Sequence, residues 1–228
     1  MLDRLEKIIG NDNLNKIKNN SVMIIGIGGV GGYAVEALAR SGIENIILID
    51  NDSVDITNKN RQIIALDSTI GMKKVDVMKE RLLDINKNIN VITLDLFLDI
   101  TNTNEIIEKY HPDYIIDACD TISTKKEIII SCIKHNIKFI SCMGTGNKLD
   151  PTKLKISDLR KTNYDPLAKI LRKWAKEEKI NSKIPVLWSD EQPIEIHDRT
   201  PGSTSFVPSA AGLIIAGYII NNIIKTSN

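Results

Sequence analysis

The stretch VMIIGIGGVGG, residues 22 to 32, constrains this chain more than any other, because it runs an apolar segment of strand length into a glycine cluster and then into a helix-period segment. Gly26, Gly28 and Gly31 fit the GxGxxG spacing in the setting where that spacing has a mechanism, after a strand and at the opening of a helix. Glycine there lets backbone approach a phosphate closely, and the free N–H groups of the first helical turn present the positive end of a dipole. Gly29 and Gly32 clear still more side-chain bulk. Asp50 follows Gly28 by roughly 20 residues, the distance at which an acid accepts hydrogen bonds from ribose hydroxyls.

Around this turn, apolar runs of strand length alternate with helix-period segments, the pattern of parallel strands joined by crossover helices. Strands are predicted near Ser21 to Gly26, Asn45 to Asp50, Asn90 to Leu94, Tyr114 to Asp117 and Lys138 to Cys142, with helices over Val30 to Ser41, Met72 to Ile85, Thr103 to Lys109 and Ser123 to His135. The fold class that follows is α/β, a Rossmann-like doubly wound, mainly parallel sheet with helices on both faces and a C-terminal extension. At 228 residues and 42% hydrophobic, the chain is read as one domain, with a nucleotide-binding core over 1–147 and a basic substrate-side extension over 148–228. In the extension, a turn at Asp150-Pro151 leads to a basic helix behind Asp165-Pro166, a strand at Ile184 to Ser189, a surface loop SDEQPIEIHDRTPGSTS and an apolar helix from Ser209 to Lys225 that serves as core or dimer interface.

The loop after the second strand, DNDSVDITNKNRQ, is too polar for a hydride-transfer site. A nicotinamide ring is held by apolar surface and backbone. Here Arg61 and Lys74 are placed to reach a nucleotide from the loop and helix after that strand, and Asn58 and Asn60 add two amides. Two cations and two amides can neutralise and orient a pyrophosphate leaving group, which points to nucleotidyl chemistry.

Charge is nearly balanced overall, at +1, so no bulk polycation or polyanion character announces a partner. Its distribution is uneven: Lys153 to Lys183 holds ten Lys/Arg and four Asp/Glu, a local +6 against −5 for the remainder. Cys119, Cys132 and Cys142 form no CxxC pair, which makes a structural zinc site unexpected. MLDRLEKIIG lacks a secretory or transit pattern, and the apolar run Ala210 to Ile220 falls short of the ~20 residues that cross a bilayer. These readings predict a cytoplasmic protein without a membrane span.

GIGGVGG, Asp50 with Asp52 two residues on, NxNRQ at Asn58 to Gln62, GxxK at Gly71 to Lys74 and DACDT at Asp117 to Thr121 together resemble the ubiquitin-activating-enzyme-like (ThiF/MoeB-type) adenylyltransferase superfamily. Arg4, INK at Ile85 to Lys87, MGTGNKLDPTKLKISDL, KTNYDPLAK, WSDEQP and FVPSAAGL resemble, within it, the bacterial tRNA threonylcarbamoyladenosine dehydratases. The resemblance implies ATP and magnesium as cofactors, with Asp50 at the ribose, Asn58, Arg61 and Lys74 at the phosphates, Gln62 supporting the loop and Asp120 on the magnesium. It implies a homodimer in which Arg4 reaches the partner subunit's nucleotide site. It also implies a tRNA carrying threonylcarbamoyladenosine as substrate, and admits a cysteine desulfurase or sulfur-acceptor protein as partner.

The implied reaction adenylates the threonyl carboxylate and cyclises it. A tethered carbamoyl group then makes a protein nucleophile unnecessary, in keeping with the missing catalytic cysteine. Arg61, Lys74, Arg4 and the magnesium at Asp120 would oppose charge on the departing pyrophosphate. Lys153, Lys155, Arg160, Lys161, Lys169, Arg172, Lys173 and Lys176 are candidates to follow a tRNA backbone, with Lys125 a further candidate for substrate or phosphate. Tyr164 and Trp174 are the nearby stacking options. Two other readings share the glycine turn: an adenylyltransferase activating the C-terminus of a small sulfur-carrier or ubiquitin-like protein, and an NAD-binding Rossmann protein without adenylation. Missing CxxC pairs argue against the first, and the Asn-Asn-Arg-Gln-Lys set against both.

Overall fold

Seven strands form one sheet in the order β3-β2-β1-β4-β5-β7-β6, in a computed structural model that describes residues 1–197 and 200–225. Two short helices, α1 (Asp3–Ile9) and α2 (Asn11–Asn19), precede β1 (Ser21–Ile25). The alternation then runs α3 (Gly31–Arg40), β2 (Asn45–Ile49), α4 (Lys74–Ile85), β3 (Asn90–Leu94), α5 (Thr103–Tyr110), β4 (Tyr114–Asp117), α6 (Ile122–Lys134) and β5 (Lys138–Cys142). The extension adds β6 (Leu154–Asp158), α7 (Pro166–Glu177), β7 (Pro185–Ser189) and α8 (Phe206–Lys225). Only the β6–β7 pairing is antiparallel among the named strands.

Strand side chains alternate between two apolar layers, as a sheet covered on both faces requires. Val22, Ile24, Ile46 and Leu48 face a layer that includes residues of α3, α4 and α8, whereas Met23, Ile25, Ile47 and Ile49 face one built with α5, α6 and α7. From β1 the chain winds outward through β2 and β3, then returns to the other side of β1 for β4 and β5. The crevice at the carboxyl ends of β1 and β4 is the topological switch point, where open α/β sheets bind ligands.

The predicted strands agree with the observed ones to within a residue, but three features differ from the sequence reading. α1 and α2 were not anticipated, because they bury little: α1 buries no residue, and α2 buries Leu14 and Ile17. α8 starts three residues before Ser209 and takes Pro208 into its first turn, where a missing N–H costs nothing. At 20 residues and a mean hydropathy of 1.6 it is also long and apolar enough to cross a membrane by length and composition, contrary to the short run read from sequence. One of its faces packs on α3, so closely that a Cβ at Gly212 would lie 2.3 Å from the Val30 carbonyl oxygen.

Candidate active site

A cavity of about 820 Å³ opens at the switch point, between the glycine turn, the loop after β2, the DACDT segment after β4 and residues 200–203. The glycines divide the work. A Cβ at Gly31 would sit 1.8 Å from the Gly26 carbonyl oxygen, so Gly31 is needed for the turn to close on itself. A Cβ at Gly28 would meet nothing nearer than Gln62 Nε2 at 3.9 Å, leaving backbone there open to the cavity. Asp50 anchors the turn: its Oδ2 accepts from the Ile27 N–H at 2.6 Å and its Oδ1 from the Asp52 N–H at 2.8 Å.

The polar loop is pre-shaped by its own side chains. Asp55 caps a 3-10 turn at Ile56–Asn58, accepting from the Thr57 hydroxyl and N–H, and these bonds hold its carboxyl below the usual carboxylate range. Asn58 Oδ1 accepts from the Asp55 N–H at 3.1 Å, so this amide shapes the loop as well as lining the cavity. Arg61 also lines it; its Nη1 donates to the Thr57 carbonyl and to Asn60 Oδ1, both at 2.9 Å. Lys74 is the first residue of α4, buried, with its Nζ 2.7 Å from Asp52 Oδ2. A cation at the positive end of a helix is disfavoured until an anion joins it. Asp52 supplies one, and the cavity beside it has room for another.

Gln62 Oε1 is buried and, among the described residues, has no hydrogen-bond partner. An orphaned acceptor in the wall of a polar cavity is costly unless a ligand supplies the donor. Leu96, Phe97 and Leu98 after β3 add to the cavity an apolar surface on which a base can lie, with Phe97 51% exposed.

Asp117, the last residue of β4, is fully buried. Lys125 Nζ lies 3.0 Å from both its oxygens and donates to the Cys142 carbonyl, while Ser141 Oγ donates to Asp117 at 2.5 Å. Burial works to lower the Lys125 pKa, but the charge of Asp117 outweighs it and the pKa is raised. Lys125 is therefore a structural cation with no exposed surface, and its reading as a tRNA or phosphate contact is corrected. Asp120, two residues from the cavity-lining Ala118, is exposed and also lines the cavity. Among the described residues no group of three or more His, Cys, Asp or Glu could hold a metal. A single open carboxylate suits magnesium held jointly with substrate phosphates, since that ion takes one or two carboxylates and keeps its other ligands from phosphate and water.

None of the three free thiols is poised as a nucleophile. Burial and the neighbouring Asp117 push Cys119 and Cys132 up, and burial pushes Cys142 up to about 12. Arg4 is exposed on α1 and is absent from the cavity's lining.

The basic candidates differ in their partners rather than cleanly in exposure: Lys155 and Arg160 are exposed as well as paired, and Lys173 lies 3.8 Å from Glu177 Oε1. Lys153, Lys161, Lys169, Lys173 and Lys176 are exposed, the last three on one face of α7 whose other face buries Leu171 and Trp174. Arg160 forks onto Asp158 through Nε at 2.7 Å and Nη2 at 2.8 Å, Arg172 donates to Thr162, and Lys155 pairs with Asp190. Trp174 is buried, which leaves Tyr164, 60% exposed, as the aromatic able to stack.

Residues 200–203 were read as surface loop, yet they wall the cavity. Asn60 Nδ2 donates to the Ser203 carbonyl at 3.0 Å, and Asn147 exchanges two bonds with Gly202. Asp198 and Arg199, in the same loop, lie outside the described residues. No sequence signal links Asn60 to Ser203; the LFL run after β3 was the one available hint for the apolar wall.

A glycine turn at a sheet's switch point, with Arg61 packed against it and Lys74, Asp50 and Asp120 lining the same cavity, gives the site of a Rossmann-like fold; the chain is an enzyme of the adenylating class, which works through an acyl-adenylate. The chain belongs to the ThiF family, which it matches over residues 2–225. It is 44% identical to the tRNA threonylcarbamoyladenosine dehydratase of Bacillus subtilis, over 97% of this chain and 94% of that one. The crystal structure of the Escherichia coli tRNA N6-threonylcarbamoyladenosine dehydratase in complex with AMP superposes with a TM-score of 0.92 at 32% identity, over 97% of this chain and 93% of that one. The same enzyme in complex with ATP gives a TM-score of 0.92 at 32% identity, over 98% and 93%.

Proposed function

We propose that this protein is an ATP-dependent tRNA threonylcarbamoyladenosine dehydratase. The observation that carries the reading is the placement of Arg61 and Lys74 on one cavity with the glycine turn and Asp50; we assign the two cations to the phosphates of a nucleotide and Asp50 to its ribose. The threonyl carboxylate attacks the α-phosphorus and expels pyrophosphate, giving a carboxyl-AMP. The carbamoyl group on the same side chain then closes on the activated carbonyl, and AMP leaves with the oxygen that bridged it. The sum of the two steps is loss of one water. Arg61 and Lys74 oppose the charge that grows on the pyrophosphate, where preorganised cations act most strongly.

Magnesium would be held by Asp120 together with phosphate oxygens, and when bound it neutralises further charge on the leaving group. Arg4, exposed and outside its own chain's cavity, is assigned to the partner subunit's cavity of a homodimer. The exposed lysines of α7, with Lys153 and Lys161, are assigned to the tRNA backbone, and Tyr164 to an unstacked base. The setting we assign is cytoplasmic. A cysteine desulfurase or sulfur-acceptor partner gains no support from the thiols, whose pKa values are all raised.

Incubating the protein with ATP and tRNA that carries threonylcarbamoyladenosine, then analysing nucleosides by mass spectrometry, tests the reading. A modified adenosine lighter by one water is expected. Unchanged nucleoside, with pyrophosphate exchange that appears only when a small carrier protein is added, would contradict it.

A further inference from the structure

Resting on the reading above, we propose that Lys148 is a positioning residue that holds the RNA-facing helix and the nucleotide cavity in register. Lys148 is 2% exposed, and its Nζ donates to the Gly144 carbonyl at 2.7 Å and lies 3.5 Å from Asp165 Oδ2. Gly144 immediately precedes Thr145 and Gly146, which line the cavity. Asn147, next to Lys148, grips Gly202 in the adjoining wall: its Oδ1 accepts from the Gly202 N–H at 2.6 Å and its own N–H donates to the Gly202 carbonyl at 2.8 Å. On the other side, Asp165 Oδ1 accepts from the Ala168 N–H at 2.9 Å and caps α7, whose exposed face carries Lys169, Lys173 and Lys176. The ammonium thus joins the segment leading into one cavity wall to the start of the basic helix, while the neighbouring Asn147 ties that segment to Gly202.

Stability alone does not account for this arrangement. A buried ion pair is often no more stabilising than apolar side chains of similar volume, and the best-attested use of such a pair is to fix register. Register matters here because the two reactants arrive on different elements, the nucleotide in the cavity and the tRNA on α7. A misplacement of about 1 Å between them can cost on the order of 10²-fold in rate. The close fit leaves little slack: a Cβ at Gly144 would come within 3.2 Å of Asp165 Oδ2.

The test is steady-state dehydration of modified tRNA by the full chain, with kcat, KM for ATP, the Kd of a non-hydrolysable α,β-methylene ATP analogue, and thermal unfolding measured in parallel. Lys148→Met is expected to lower kcat by about 30- to 100-fold while the analogue's Kd stays within about threefold. Lys148→Arg should recover at least tenfold of that loss. Combining Lys148→Met with Asp165→Asn, which keeps a capping oxygen and removes the stranded charge, should be no worse than Lys148→Met alone, as expected when both residues serve one interaction. This neutral double variant also decides the matter if Lys148→Met fails to fold. Full kcat in a folded variant, a Kd that rises in proportion to the fall in kcat, or multiplicative losses in the double variant would each overturn the proposal. Wild-type protein that removes no water from modified tRNA would instead overturn the functional reading, and this proposal with it.

Discussion

The nucleotide-facing region, residues 21–147, and the extension, residues 148–225, solve the same problem by different means. In the first, backbone does most of the positioning: parallel strands end at one edge, a glycine turn closes on itself, and Asp50 ties that turn to β2 through two N–H groups. In the extension, side chains carry the connections, with Asp165 capping α7, Arg160 forked on Asp158, Lys148 bridging to Gly144 and Glu191 accepting from the Leu149 and Asp150 N–H groups. A backbone-built site keeps its shape through many side-chain changes. A side-chain-built surface can be altered one contact at a time, which suits the part proposed above to meet the tRNA.

The sharpest way to break this comparison is at Lys125 and Asp117, the ion pair of the first region in which both partners are fully buried. Lys125→Met strands Asp117 without its cation and is expected to cost about 3–5 kcal/mol in urea unfolding. A change below about 1 kcal/mol would mean that the edge at β4 and β5 does not rely on it. Next in size, Arg61→Ala and Lys74→Ala should each lower kcat by about 10²–10³ with little change in melting temperature, since each removes a cation from the cavity and not from an apolar core. Equal losses in stability would make them structural residues.

Smaller effects belong to the extension. Replacing Lys169, Lys173 and Lys176 together by Ala should weaken tRNA binding about tenfold near physiological salt and flatten the log–log salt slope by about 2, because each backbone contact releases counterions. Affinity for ATP alone should not move; an unchanged slope would remove α7 from the interface. Cys119→Ser should retain turnover within about threefold, and iodoacetamide should label Cys119 slowly at pH 8, since burial and Asp117 oppose its thiolate. Rapid labelling would contradict the raised pKa. The smallest effect is acid sensitivity at the β6 edge. The Arg160 hydrogen bond, with the charge beside it, lowers the Asp158 pKa from 3.8 to about 2. A depressed carboxylate stabilises the fold above its unfolded value and loses that contribution as pH falls through the folded one. Asp158→Asn should therefore flatten the fall in melting temperature between about pH 4 and pH 2, and an unchanged profile would assign the acid loss to other carboxylates.

The same contrast explains what could be read from the sequence. Strand positions were legible because a sheet covered on both faces demands unbroken apolar runs such as Val22 to Ile25, and Gly26, Gly28 and Gly31 were legible because their spacing is local. The Lys125 signal was nonetheless present: Thr124, Ile128, Ile129 and Cys132 are all buried, and Lys125 falls on that helical face. The wall contributed by residues 200–203 was illegible because it reaches the cavity through tertiary packing alone, and the LFL run around Phe97 gave only a hint of an apolar surface. Asn60 meets Ser203 across 143 positions of chain. The Lys148–Asp165 tie is similar, since neither residue differs by type from the other charges of a basic, capped segment.

The claim on which all of this rests is that the cassette after β2 directs attack at the α-phosphorus. It is tested most directly by following oxygen from an ¹⁸O-labelled threonyl carboxylate through one turnover with ATP. The account predicts one ¹⁸O atom in the released AMP and none in pyrophosphate or inorganic phosphate. Label in inorganic phosphate, with ADP as the nucleotide product, would contradict it.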